Sequence, residues 1–162
     1  MNINNLVTTL LVGVIASIAF IWIQPLFSML TLTSRHAAAY VDIGGYSEAI
    51  AVTLSWIVHV SVSIFYTLVS LLIYNLNHSY LVNFLQIVLL GWLTTLLATP
   101  ANEWVVKLIT TGQLPAIDSL SALNTQVGPK LWLHIMFFIM VVVGISIIKN
   151  SSLLNSAQAR KT

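Results

Sequence analysis

The sequence predicts an all-α integral membrane protein, a four-helix bundle with both termini on the cytoplasmic side, and three observations carry that expectation. Of 162 residues, 58% are hydrophobic and only 6% charged, against about 25% charged in soluble domains. Four apolar stretches, approximately Leu6 to Leu30, Glu48 to Tyr74, Tyr80 to Trp104 and Leu131 to Ile148, each approach or exceed the roughly 20 helical residues needed to cross about 30 Å of hydrocarbon. None alternates as a barrel strand does, and backbone amides in lipid must find partners within their own segment. One domain, residues 1–150, is expected, followed by a polar, frayed cytoplasmic tail over 151–162.

In the first span, the leader Met1-Asn2-Ile3-Asn4-Asn5 has no basic side chain. That favours a retained helix over a secretory signal, although Ala37-Ala38-Ala39 resembles a cleavage site. Pro25 removes a backbone donor, so a kink or an early end is expected near Ile21 to Gln24. Gly13 with Ser17, and Ala16 with Ala19, give the small-xxx-small spacing that lets membrane helices approach closely. Thr33 to Ser47 reads as a connection, with Gly44-Gly45 as its turn and Ser47 as an N-cap for the next helix.

The second span carries an unusual face. Trp56, His59, Ser63, Tyr66 and Ser70 share one side of the helix, with His59 about 16 Å from the outer end and so near the midplane. Such a stripe should point into the bundle or an oligomer interface. His59 could relay or sense protons; equally, as a neutral ring, it could hydrogen-bond a neighbouring helix and do nothing more. The connection Asn75-Leu76-Asn77-His78-Ser79 is short enough to make the second and third spans antiparallel neighbours.

In the third span, Gly91, Thr94, Thr95 and Ala98 suit close helix contacts. At its outer end, Glu103 and Lys107 are spaced for an exposed ion pair, or could line an outer vestibule with His134. Trp104 and Trp132 read as interfacial anchors. Between Thr110 and Lys130, the recurrence of Ile117, Leu120 and Leu123 suits either a short amphipathic surface helix with Asp118 turned to water or a loop.

Four spans put both termini on one side. All four acids, Asp42, Glu48, Glu103 and Asp118, then fall on the other side with Arg35, Lys107 and Lys130. Lys149, Arg160 and Lys161 stand on the acid-free terminal side, which is placed in the cytoplasm.

Several chemistries are disfavoured. There are no cysteines, hence no disulfides and no thiolate sites. Six scattered Lys and Arg make no nucleic-acid footprint. No His-x-x-x-His or Glu-x-x-His motif calls for a metal. A bis-histidine haem on His59 and His134 is considered and disfavoured, because the two should differ by about 11 Å in depth. No cofactor is expected. Ser63 lies one turn from His59, but no intramembrane carboxylate is there to orient that ring, so an enzyme is unsupported.

His59-Val60-Ser61-Val62-Ser63-Ile64-Phe65-Tyr66, the apolar third span with Gly91, His134 opening the last span, and Gly13-Val14-Ile15-Ala16 with Trp22 in the first together resemble the YagU family of small bacterial inner-membrane proteins. The resemblance implies an inner-membrane protein linked with acid tolerance, with no established reaction. By position it carries over His59, Ser63 and His134. The function expected overall is a non-enzymatic, self-associating protein of the bacterial inner membrane, with a polar intramembrane cavity meeting protons, small solutes or lipids. Its partners would be the lipid bilayer and a second copy or another membrane protein. An accessory subunit of a larger complex is one alternative. A lipid-modifying enzyme using His134 and Glu103 is the other, and it requires those two to converge.

Overall fold

A computed structural model describes residues 3–113 and 123–159, with side chains through residue 151. Among the described residues there are five α-helices and no strand: α1 (Ile3–Ile23), α2 (Leu32–Gly44), α3 (Glu48–Leu76), α4 (Tyr80–Thr111) and α5 (Pro129–Ala159), with a 3-10 turn over Gln24–Phe27. Four helical segments, Ile3–Phe27, Glu48–Leu76, Tyr80–Thr111 and Pro129–Ser151, are long and apolar enough to cross a membrane. The chain thus has the helices of a multi-pass membrane protein.

Pro25 has the effect expected of it. Regular α-helix stops at Ile23, Pro25 enters the 3-10 turn near its start, and Ser28 leaves it at a left-handed φ of 55°. The buried side chain of Gln24 then accepts the Leu32 backbone N–H at 2.7 Å through Oε1. That bond meets one of the open donors at the start of α2.

The helix α2 corrects the expectation of an irregular connection over Thr33 to Ser47. Thr31 stands at its N-cap and accepts the Ser34 N–H at 3.3 Å, and Gly45 closes it at a left-handed φ of 65°. The alanines at 37–39 are strong helix formers here. Thr33, His36, Ala37 and Tyr40 make its buried face. Ser47 does occupy the N-cap position of α3, though its side chain makes no capping bond.

Packing is antiparallel between α1 and α3, between α1 and α5, and between α4 and α5, as successive contacts along each pair establish. Gly13 meets Ile64 while Ser17 meets His59. Val12 meets Gly144 while Phe20 meets Phe137, and Gly91 meets Ile135 while Thr95 meets His134. Lys149 Nζ hydrogen-bonds Asn5 Oδ1, so the start of α1 and the far part of α5 share one end of the molecule. The opposite end, where α3 and α5 begin, is the distal end.

The seam of α3 against its neighbours is built from Ala51, Ser55, His59, Ser63 and Thr67, one residue per turn and all buried. Lipid provides no hydrophobic drive between helices, so close approach and internal hydrogen bonding take over. Ser55 and Thr67 each donate to the carbonyl four residues back at 2.8 Å, which leaves small, satisfied side chains on the contact face. This seam overlaps the predicted polar stripe at His59 and Ser63. Trp56 and Tyr66, expected on the same face, flank it and are only half-buried.

Two helices run past their expected ends. Instead of stopping at Trp104, α4 continues through Thr111, with Pro100 inside it and buried. Because a proline has no N–H, the Leu96 carbonyl loses its helical donor; the Asn124 N–H takes that place at 3.2 Å. The backbone of α5 stays helical through Ala159, beyond the predicted boundary near 148 and into the expected frayed tail, where leucine, alanine and glutamine keep helix propensity high. Ile117, Asp118 and Leu120 of the suggested surface helix lie outside the described residues; Leu123 is exposed and non-helical.

Candidate functional site

α3 and α4 leave residues 77–79 as antiparallel neighbours, yet they touch little, and α2 packs against both. Beneath α2 the helices surround a cavity of about 320 Å³, within the usual range for small-ligand sites. Its walls come from all five helices: Phe20 and Gln24 of the first span, Arg35 and His36 of α2, Val58, His59, Val62, Ser63 and Tyr66 of α3, Thr94, Ala98, Asn102 and Glu103 of α4, and Lys130, Leu133, His134 and Phe137 of α5. Arg35 and Glu103 are exposed, as is Val62, so the space reaches the surface beside charged groups and beside an apolar flank.

Three imidazoles from three helices line this one space. His59 is buried, and its Nε2 lies 3.1 Å from the Ser17 carbonyl oxygen on α1. A carbonyl only accepts, so Nε2 carries the proton and Nδ1 keeps its lone pair. The Trp56 and Phe20 rings pack on the same imidazole, at centroid distances of 6.3 and 5.5 Å. His134 is held differently. The Thr95 hydroxyl gives its proton to the Gly91 carbonyl at 2.7 Å, so at 2.9 Å from His134 Nδ1 it accepts. The proton is therefore on Nδ1, and the Lys130 backbone is a further hydrogen-bond partner of the ring. Thr95 cannot be a nucleophile activated by His134, because its own proton is already committed.

His36 of α2 is the residue that the sequence reading missed. It is only 5% exposed, and neither ring nitrogen meets a hydrogen-bond partner; Asn102 stands beside the ring without adequate geometry. Burial first, then the Arg35 guanidinium and His59, push its pKa down to about 4, while Asn102 works in the opposite direction. Thr94 Oγ1, also on the lining, is a second buried polar atom without a partner. The signals for this wall were the N-cap at Thr31, the helix-ending Gly45, and His36 and Tyr40 one turn apart on one face.

The expectation that His59 and His134 stand about 11 Å apart in depth is corrected. Phe20 contacts both rings, with centroids at 5.5 and 5.7 Å. Tyr66 meets Phe138, and seven residues back along each parallel helix His59 is level with Leu131, only about 4.5 Å from His134. The cause is that α3 starts well beyond α5 at the distal end, so distances counted from the helix starts are not comparable. The benzene ring of Phe20 is what the two imidazoles share. Among the described residues, no group of three or more metal-ligating side chains is close enough to hold an ion.

The other expected residues divide. His59, Ser63 and Tyr66 line the cavity, and Trp56 supports it from behind His59. Glu103 and His134 line the same space, whereas Lys107 points elsewhere and is exposed. Gly13, Ala16, Ser17 and Gly91 are buried at helix contacts; a Cβ on Gly13 would come within 2.9 Å of the Ile64 backbone, and one on Gly91 within 3.0 Å of Ile135. Thr94, expected only to pack, faces the cavity.

No family model, no curated protein and no solved structure matches this chain.

Proposed function

We propose that this is a non-enzymatic protein of the bacterial inner membrane, with both termini in the cytoplasm, that holds a small polar or amphiphilic ligand in the cavity beneath α2. The observation that carries the reading is the convergence of His36, His59 and His134 on one space in which both ring nitrogens of His36, and Thr94 Oγ1, are buried without hydrogen-bond partners. Buried polar atoms without partners are costly, and a ligand or ordered water entering the cavity would meet that cost. The sidedness rests on charge order along the chain: Lys149, Arg160 and Lys161 follow the last span with no acid among them, while Asp42, Glu48, Glu103 and Asp118 all lie in or next to the two connections on the other side. The YagU resemblance adds an acid-tolerance setting. Self-association remains part of the proposal on size, but Gly13, Ala16, Ser17 and Gly91 do not support it, because they are used within the chain.

One observation favours the enzymatic alternative, namely that Glu103 and His134 line the same cavity. It lacks an activated nucleophile, since the one hydroxyl bonded to His134 has given its proton away.

The absence of cysteine makes the test clean. Ser63→Cys and Thr94→Cys, in vesicles, should react with a small water-soluble methanethiosulfonate, and Ser70→Cys, buried off the cavity, should not. Inert thiols at both 63 and 94 would refute the reading.

A further inference from the structure

We propose that the cavity takes an anionic amphiphile, an acyl chain bearing one carboxylate or phosphodiester, with the charged group at the mouth near Arg35 and Lys130 and the chain among Val58, Val62 and Leu97. This rests on the ligand-holding reading above and adds to it the sign of the charge and the shape of the molecule.

The charge argument begins with the lining. Two cations, Arg35 and Lys130, face the space against a single carboxylate, Glu103. Both cations sit in the first turn of their helices, and neither α2 nor α5 has an acid there. A helix start is already the positive end of the backbone dipole, where Lys and Arg are disfavoured and anions favoured. The first-turn amides are largely taken, Leu32 by Gln24 and Ser34 by Thr31 on α2, and Leu131 by Gly128 on α5, so the two cations are the groups that offer positive charge to the cavity, and at the edge of a low-dielectric medium their field is poorly screened. Glu103 offsets one of the two cations, which leaves one positive charge in excess for an anion to meet.

A second, independent observation points to a ligand. His36 adjoins Arg35, lines the cavity, is only 5% exposed and has both ring nitrogens without partners. A neutral imidazole donates from one nitrogen, so a carboxylate or phosphate oxygen at the mouth would give His36 an acceptor.

The shape argument is the wall below. Val58, Val62, Leu97 and Phe137 are apolar, and Val62 is 43% exposed on the flank where α3 and α4 stand apart. A wholly water-soluble anion would leave that surface uncovered. An acyl chain entering between the two helices would cover it while its head stays beside the ends of the spans, at the depth of lipid headgroups.

The test uses the full chain carrying Ser63→Cys, with Thr94→Cys as a second reporter, in phosphatidylcholine vesicles. Thiol labelling is timed alone and after adding myristate, phosphatidylglycerol, methyl myristate or inorganic phosphate. One charge-assisted contact corresponds to about tenfold or more in binding. Myristate or phosphatidylglycerol should therefore protect the thiol at about one-tenth of the concentration at which methyl myristate does. The anion that protects identifies the source as a free fatty acid or a lipid headgroup. Arg35→Gln with Lys130→Gln should abolish the difference without stopping labelling. Equal protection by methyl myristate, protection by inorganic phosphate alone, or none by either anionic amphiphile would overturn the proposal. Labelling that proceeds normally in those cases leaves the cavity reading standing, and absent labelling at both cysteines defeats it together with the proposal.

Discussion

The Asn124 backbone N–H donates to the Leu96 carbonyl, the acceptor that Pro100 leaves open four residues further along α4. The segment returning to α5 is thereby fastened to the helix wall that supplies Thr94, Ala98 and Asn102 to the cavity. In Pro100→Ala, a restored N–H at position 100 competes for Leu96. Deuterium exchange at the Asn124 amide should then speed up by about tenfold, which corresponds to roughly 1.4 kcal/mol of lost protection. Unchanged exchange would show that the bond does not hold the loop.

Helix contact at Gly13 should be intolerant of size. A Cβ there comes within 2.9 Å of the Ile64 Cα, a backbone atom with no rotamer to give way. Gly13→Ala is expected to cost about 1–3 kcal/mol, read as a lower melting temperature in detergent. Gly128→Ala, with nothing within 4 Å, serves as the control that should change little.

Acid should destabilise the protein through His36. Its pKa in the folded chain, about 4, lies below the ordinary 6.5, so between those values the unfolded chain binds more protons. The stability contributed by the neutral ring is complete above about pH 6.5 and is lost progressively down to about pH 4, by about 3 kcal/mol at most. His36→Gln should flatten that part of the stability profile. Denaturation curves across the window that are the same for both proteins would contradict the burial of a neutral ring.

His59 bridges α3 to α1 through the Ser17 carbonyl. His59→Phe removes that bond, worth about 1 kcal/mol net, and fills part of the cavity. A modest loss of thermal stability is expected, together with reduced labelling of Thr94→Cys by the methanethiosulfonate. Full labelling would mean that the ring does not border the reagent's path.

The spans were legible because hydropathy over about 20 residues is set by the bilayer itself. The burial of His59 was legible too, since an ionisable ring in an apolar helix has few places to go. The wall formed by α2 was not. Its apolar content is low, and Ala37-Ala38-Ala39 with Gly44-Gly45 reads equally well as a processed or flexible segment until Thr31 and Gly45 are recognised as the two ends of one helix. Relative depth was misread for another reason. Residue counts measure distance along a helix, whereas the level of His59 against His134 depends on how α3 slides past α5, which is fixed by contacts such as Tyr66 with Phe138. Lys107 was misplaced because spacing alone does not say which face of α4 turns inward.

Imidazoles from α2, α3 and α5 line one space, and the proposed function requires water or a polar ligand to reach them there. Solid-state NMR of the histidine-labelled chain in bilayers, with magnetisation transferred from water to ring nitrogens, measures this without any substitution. His78, exposed in the turn between α3 and α4, is the internal reference. His36, His59 and His134 should all receive water magnetisation at rates comparable to His78; signal from His78 alone would mean a dry interior and would contradict the account.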